Sequence, residues 1–132
     1  MPVSEPKEAF PELGTTANPA MFYDGDDVFL CYEASVRAGG GNVVLKFAAV
    51  IDFRITPMNV EGLKDCRYPV QPWAINEVSG ASETEAWKLF DARFWIISFN
   101  DLTIEVVFES VSLIARDSTD QHPGKTLLGV VC

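Results

Sequence analysis

Between Val28 and Val36 apolar and polar positions alternate, with Val28, Leu30, Tyr32, Ala34 and Val36 on one face and Glu33, Ser35 and Arg37 on the other. After Ala38-Gly39-Gly40-Gly41-Asn42, every odd position from Val43 to Ile55 is apolar. A period of two over this length predicts two strands, joined as an antiparallel hairpin. Pairing Val36 with Val43 sets Tyr32 opposite Phe47 and Glu33 opposite Lys46, an opposite-charge pair on the outer face. The long glycine loop also permits a two-residue slip of this register.

A second hairpin follows from Phe94–Phe99 and Leu102–Glu109 around the two-residue turn Asn100-Asp101. That turn places Trp95, Ile97 and Phe99 against Val106, Ile104 and Leu102, with Ser98 and Thr103 paired on the opposite face. The second strand is expected to continue through Val111, Leu113 and Ala115. Thr126–Val131 reads as a last strand, and Trp73–Val78 as a short one among the breaks set by Pro57, Pro69 and Pro72. Ser82-Glu83-Thr84-Glu85 has the form of a capping box, with Ser82 as N-cap. Ala86, Leu89 and Phe90, joined by Trp87, then supply the apolar face of a short helix near 83–90. Residues 1–20 hold four prolines and no sustained period. They read as an extended arm, with Phe10 and Leu13 available to dock on the body.

The pattern therefore predicts an α+β fold, mainly an antiparallel β meander with one short helix. Roughly five to seven strands would form a strongly twisted sheet or a partly open barrel. The N-terminal arm spans 1–20 and a single domain spans 21–132. The length of 132 residues fits one domain, at about 150 residues each. A hydrophobic fraction of 48% supplies a core and argues against whole-chain disorder.

Charge changes the picture of partners. Nineteen acidic residues against ten basic ones leave a net charge of −9. Nucleic-acid binding through a basic surface is not expected, whereas a basic protein partner is. No apolar run approaches the roughly 20 residues a bilayer demands, and no secretory signal is visible, so the expectation is a cytoplasmic protein without membrane contact. Three cysteines (Cys31, Cys66 and Cys132) without C-x-x-C spacing read as reduced thiols.

Candidate chemistry is sparse. His122, the one histidine, lies in a polar loop with no partner motif beside it. Asp24-Gly25-Asp26-Asp27 lacks the later glycine and closing glutamate of an EF-hand loop and reads as a hairpin turn. Gly39-Gly40-Gly41 has no following Lys-Ser/Thr for a phosphate loop. Glu105 and Glu109 share a face but stand about 13 Å apart along a strand, too far to act on one substrate atom. No G-x-S-x-G elbow occurs around Ser79-Gly80. The residues thus point to no catalytic set, no metal and no cofactor.

What is left is a surface. Phe94 and Ile96 project from the outward sheet face and Trp73 from a loop. Beside the acids Glu33, Glu105 and Glu109 they form the candidate partner-binding set, unless the helix covers them.

Trp87 together with Phe94-Trp95-Ile96-Ile97-Ser98-Phe99-Asn100-Asp101-Leu102-Thr103-Ile104-Glu105-Val106-Val107, and Tyr23-Asp24-Gly25 with Leu30-Cys31-Tyr32-Glu33, resembles small bacterial proteins of unknown function. These share an aromatic-x-x-x-F-x-D-S/T-x-x-E-V/A hairpin near the C-terminus, and some are similar to immunity proteins of toxin systems. Here Asn100-Asp101-Leu102-Thr103 stands where that pattern is nearer His-Asp-Ser-Thr. The resemblance implies a non-enzymatic binding role and carries no catalytic residue. Three readings follow: a non-catalytic protein-binding domain of the immunity-inhibitor type; a small-ligand binder or enzyme with a pocket between sheet and helix; and a homo-oligomeric structural subunit burying Phe94 and Ile96.

Overall fold

The computed structural model describes residues 3–15, 18–57, 61–118 and 121–131. Within them nine strands form two antiparallel sheets. The five-stranded sheet has the order β1-β6-β7-β8-β5, built from Val3–Ser4, Ile75–Val78, Arg93–Ser98, Thr103–Phe108 and Asp52–Thr56. The four-stranded sheet has the order β2-β3-β4-β9, built from Ala20–Tyr23, Val28–Glu33, Asn42–Ala48 and Ser110–Asp117. Two helices, α1 (Ser82–Glu85) and α2 (Pro123–Val131), lie outside them. The architecture is α+β and does not close into a barrel. No helix among the described residues is long and apolar enough to cross a membrane.

The sheets face each other across the main core. Val28, Leu30, Tyr32, Val43, Leu45 and Phe47 come from one; Trp95, Ile97, Phe99, Ile104, Val106 and Phe108 come from the other. Phe47 meets Trp95 edge-on at 5.5 Å and Phe108 at 5.0 Å, an arrangement that the positive ring edges and negative ring faces favour.

The same alternation that predicts strand 43–55 hides its break. Ala49 takes a φ of 53° and leads the chain out of the four-stranded sheet, so β4 ends at Ala48 and β5 begins at Asp52 in the other sheet. The opposite strand makes the matching crossing at Glu109, between β8 and β9, where the Glu109 N–H donates to the Ala48 carbonyl at 3.2 Å. One long ribbon is thus bent at its middle and shared between the sheets. Phe47 before the bend and Phe53 after it both pack on the main core, while Ile55 further along is exposed; period alone, blind to this, reads as continuous.

The register of the first hairpin also differs. Tyr32 pairs with Val43 and Glu33 with Asn42, a four-residue shift from the alignment that Glu33 and Lys46 suggest. Val36–Ala38 forms a 3-10 turn with the Ser35 hydroxyl accepting from the Ala38 N–H, so the strand stops before Val36. Gly41 completes the turn at a φ of 75°, where a Cβ would lie 2.3 Å from the Asp117 carbonyl oxygen. The second hairpin keeps the predicted register, with Trp95 against Val106 and Ile97 against Ile104.

Each sheet also has an outer cover. Tyr68, Val78 and Ala81 pack with Phe94, Ile96 and Val107 on the back of the five-stranded sheet. Leu127 of α2 packs with Cys31 and Val44 on the back of the other. This last element corrects the predicted strand at Thr126–Val131. Pro123 is preorganised for a first helical position, and the His122 carbonyl accepts from the Lys125 and Thr126 N–H groups. Asn42, buried in the sheet, donates to the Gln121 carbonyl at 2.7 Å and the Thr126 hydroxyl at 2.9 Å, tying the helix down.

The arm is integral to the body. Its β1 pairs with the β6 edge, Phe10 meets Trp95 edge-on at 6.1 Å, and Leu13 enters the main core.

Candidate functional site

The six residues of the predicted contact set do not form a patch. Phe94 and Ile96 are each 1% exposed under Tyr68, Val78 and Ala81, with the Tyr68 and Phe94 rings 5.9 Å apart. Burial of each is worth about 1.5–3 kcal/mol to the fold, and neither side chain is displayed on the surface of the chain. What covers them is the segment before α1, not the helix face on 86–90. Glu105 is spent locally, with an Oε1 2.7 Å from the Arg67 guanidinium. Glu33 lies in the other sheet opposite Asn42, Glu109 is exposed at the ribbon's bend, and Trp73 is half-buried before β6.

Arg67 also pairs with Glu83, whose Oε1 accepts from the Tyr68 hydroxyl at 2.6 Å. Burial pushes the Glu83 carboxyl up, but the Tyr68 hydroxyl and Arg67 outweigh it and hold it below its ordinary value. This network closes the gap between sheet and helix, where the remaining cavity is only about 20 Å³. That cavity, lined by Arg67, Glu83, Phe94 and Glu105, is too small for more than a water.

The same packing expels the residues predicted to face the sheet. Ala81, not Ser82, is the N-cap of α1, and it makes no side-chain cap bond because it has no oxygen to offer. The helix lasts one turn and gives way to a 3-10 turn at Lys88–Phe90. The Phe90 N–H donates to the Trp87 carbonyl at 3.0 Å, and Asp91, at a φ of 53°, returns the chain to β7. With the sheet face already filled by Tyr68, Val78 and Ala81, the apolar residues of this turn are left outside. Leu89 is 97% exposed, Phe90 56% and Trp87 40%. The Trp87 and Phe90 rings lie 6.1 Å apart. Three large apolar side chains within four positions make a compact hydrophobic tip, with the acids Glu85 and Asp91 on either side in sequence. The sequence shows these residues as apolar, but their helical spacing directs them inward.

The polar candidates have structural partners. The His122 Nδ1 accepts from the Gly124 N–H at 3.0 Å, so the imidazole caps the start of α2. Asp24 accepts from the Asp26 and Asp27 N–H groups at 2.9 and 2.8 Å and shapes the β2–β3 turn. Its carboxyl is lowered by those two backbone bonds. Burial pushes the Cys31 thiol up to about 11, with the nearby Asp117 adding to the effect. Cys132 lies outside the described residues. Among the described residues no group of three or more His, Cys, Asp or Glu could hold a metal.

A cavity of about 470 Å³ opens between the arm and the loop Pro72–Ile75, walled by Glu5, Phe10, Glu12 and Trp73. Comparison of the chain with known protein families, curated proteins and solved structures finds no match.

Proposed function

We propose that this chain is a non-catalytic protein-binding domain that docks through the tip formed by Trp87, Leu89 and Phe90. The observation that carries the reading is the exposure of Leu89 beside two partly exposed aromatics, since a contiguous exposed apolar cluster marks an interaction surface. Aromatic anchors of this kind carry most of the affinity of an interface. The partner's complementary surface is an apolar recess within a basic rim, because a chain of net charge −9 attracts and steers such a protein. An inhibitor of the immunity type is the particular role that the hairpin resemblance favours.

The test is quantitative cross-linking in the native host of wild-type chain, a Leu89→Ser/Phe90→Ser variant, and a Leu128→Ser control altered on the exposed face of α2. A basic protein captured by wild type and control but lost from the tip variant supports the reading. Equal capture by all three chains overturns it.

A further inference from the structure

The arm and β6 start as partners and then part. Val3 faces Val78 and Ser4 faces Glu77, and the same register would set Pro6 opposite Ile75. On the inner side, the Ser98 N–H donates to the Ala74 carbonyl at 3.1 Å, so Ala74 turns its backbone groups toward β7. Antiparallel alternation then directs the N–H and C=O of Ile75 outward, toward the arm. Pro6 has no N–H to donate there. Pairing stops, the arm bows away, and the gap between arm and strand edge is the cavity of about 470 Å³.

Its walls have a consistent chemistry. Every charged residue lining it is a glutamate: Glu5, Glu8 and Glu12. Glu8 is held by Arg93, and Glu12 pairs with the exposed Arg37, whereas Glu5 is exposed and makes no ion pair among the described residues. Trp73 completes the wall at a φ of 49°, a left-handed conformation uncommon for a bulky residue.

We propose that this gap is a second binding site, independent of the tip, for a short extended peptide segment carrying a lysine or arginine. The peptide's backbone takes up the outward N–H and C=O of Ile75, adding to the sheet edge where Pro6 cannot. Its cationic side chain lies between the Glu5 carboxylate and the Trp73 ring, where charge and the ring face both attract it. Glu12 joins by exchanging Arg37 for the incoming cation. A volume of this size accommodates a ligand of two to three residues, within the range of small-ligand sites.

The experiment uses the full chain, 15N-labelled, titrated with acetyl-Ala-Arg-Ala-amide and followed through its three tryptophan indole N–H resonances. Trp73→Phe identifies the Trp73 signal. The expected result is a saturating shift of that signal below about 10 mM peptide, with the Trp87 signal still. Acetyl-Ala-Ala-Ala-amide should bind roughly fivefold more weakly or worse, and Glu5→Gln should cost a similar factor for the arginine peptide. Pro6→Ala restores a donor opposite Ile75, so it should weaken binding by letting the arm pair, with the melting temperature unchanged or raised. No saturating shift, equal binding of the neutral peptide, or indifference to Glu5→Gln overturns the proposal.

Discussion

Glu8 and Arg93, 85 positions apart, meet in a two-pronged pair with Nη1–Oε2 and Nη2–Oε1 separations of 2.7 and 2.8 Å. Glu77 grips the same guanidinium, which lies 5.5 Å from the Trp95 and Phe108 ring centres. The arm is therefore bolted to the rim of the main core by charge. Arg93 holds the Glu8 carboxyl below its ordinary value of 4.5.

A carboxyl lowered in the folded state contributes stability that is fully present above the unfolded pKa and is lost as pH falls through the folded one. Thermal melts of the wild type should thus weaken as pH drops below about 4.5, and Glu8→Gln should flatten that part of the profile. At neutral pH the variant should lose about 1.5–3 kcal/mol, the range for hydrogen bonds to charged groups. An unchanged acid limb in Glu8→Gln would mean that the pair does not hold the arm in solution.

The second prediction concerns sheet faces. Ile104 lies in the main core, and Asp there buries an unpaired charge, which should unfold the domain. Alternation alone makes Thr103 a solvent-facing neighbour, tolerant of Asp. In the structure Thr103 is 2% exposed, because the five-stranded sheet is covered on both faces. Thr103→Asp should therefore also cost several kcal/mol in urea unfolding, at the upper end of single substitutions. A midpoint equal to that of wild type would show that the outer face is open to water.

Thr103 also shows where sequence reading stops. A period of two identifies the inward residues of β3, β4, β7 and β8, and the turn Asn100-Asp101 sets the register of the second hairpin, because these are short-range properties. Whether the other face is wet depends on distant segments: Tyr68 and Ala81 bury Phe94 and Ile96, and Leu127 buries Val44. The bend at Ala49 is silent for the same reason, since changing sheets leaves the alternation intact. The tip residues carry the right composition for a contact surface, but only the filled space beneath them turns Leu89 outward. The cavity at Pro6 depends on a pairing between residues some 70 positions apart in the register of Ser4 with Glu77, which no local pattern reveals.

Thiol reactivity should separate the two described cysteines. Cys31 of β3 is fully buried with Val44 and the α2 residue Leu127, and its thiol, raised to about 11, is almost entirely protonated at neutral pH. The thiolate is the nucleophile, and a raised pKa together with burial makes a thiol inert. Cys66 is only partly covered. Iodoacetamide at pH 8, read by peptide mass spectrometry, should label Cys66 at least about tenfold faster than Cys31. Equal rates would place Cys31 in a locally opening part of the sheet.

The tip and the Arg67 network make opposite demands on stability, and this separates a contact surface from a structural one. Leu89 is almost wholly exposed, so Leu89→Ser removes few contacts and should shift the unfolding free energy by no more than about 0.5 kcal/mol. Phe90→Ser should behave similarly, with a small cost from its contact with the Trp87 ring. Glu105→Lys does the reverse. It breaks the bond to Arg67 and sets a second cation beside it, with Glu83 the remaining acid to hold the guanidinium. Because Arg67 is about half exposed, solvent screening limits the loss to about 1 kcal/mol, still more than either tip variant. Urea midpoints for the three variants decide the matter. If Leu89→Ser lowers the midpoint further than Glu105→Lys does, the turn at Lys88–Phe90 is packed against the body and the tip is not a docking surface.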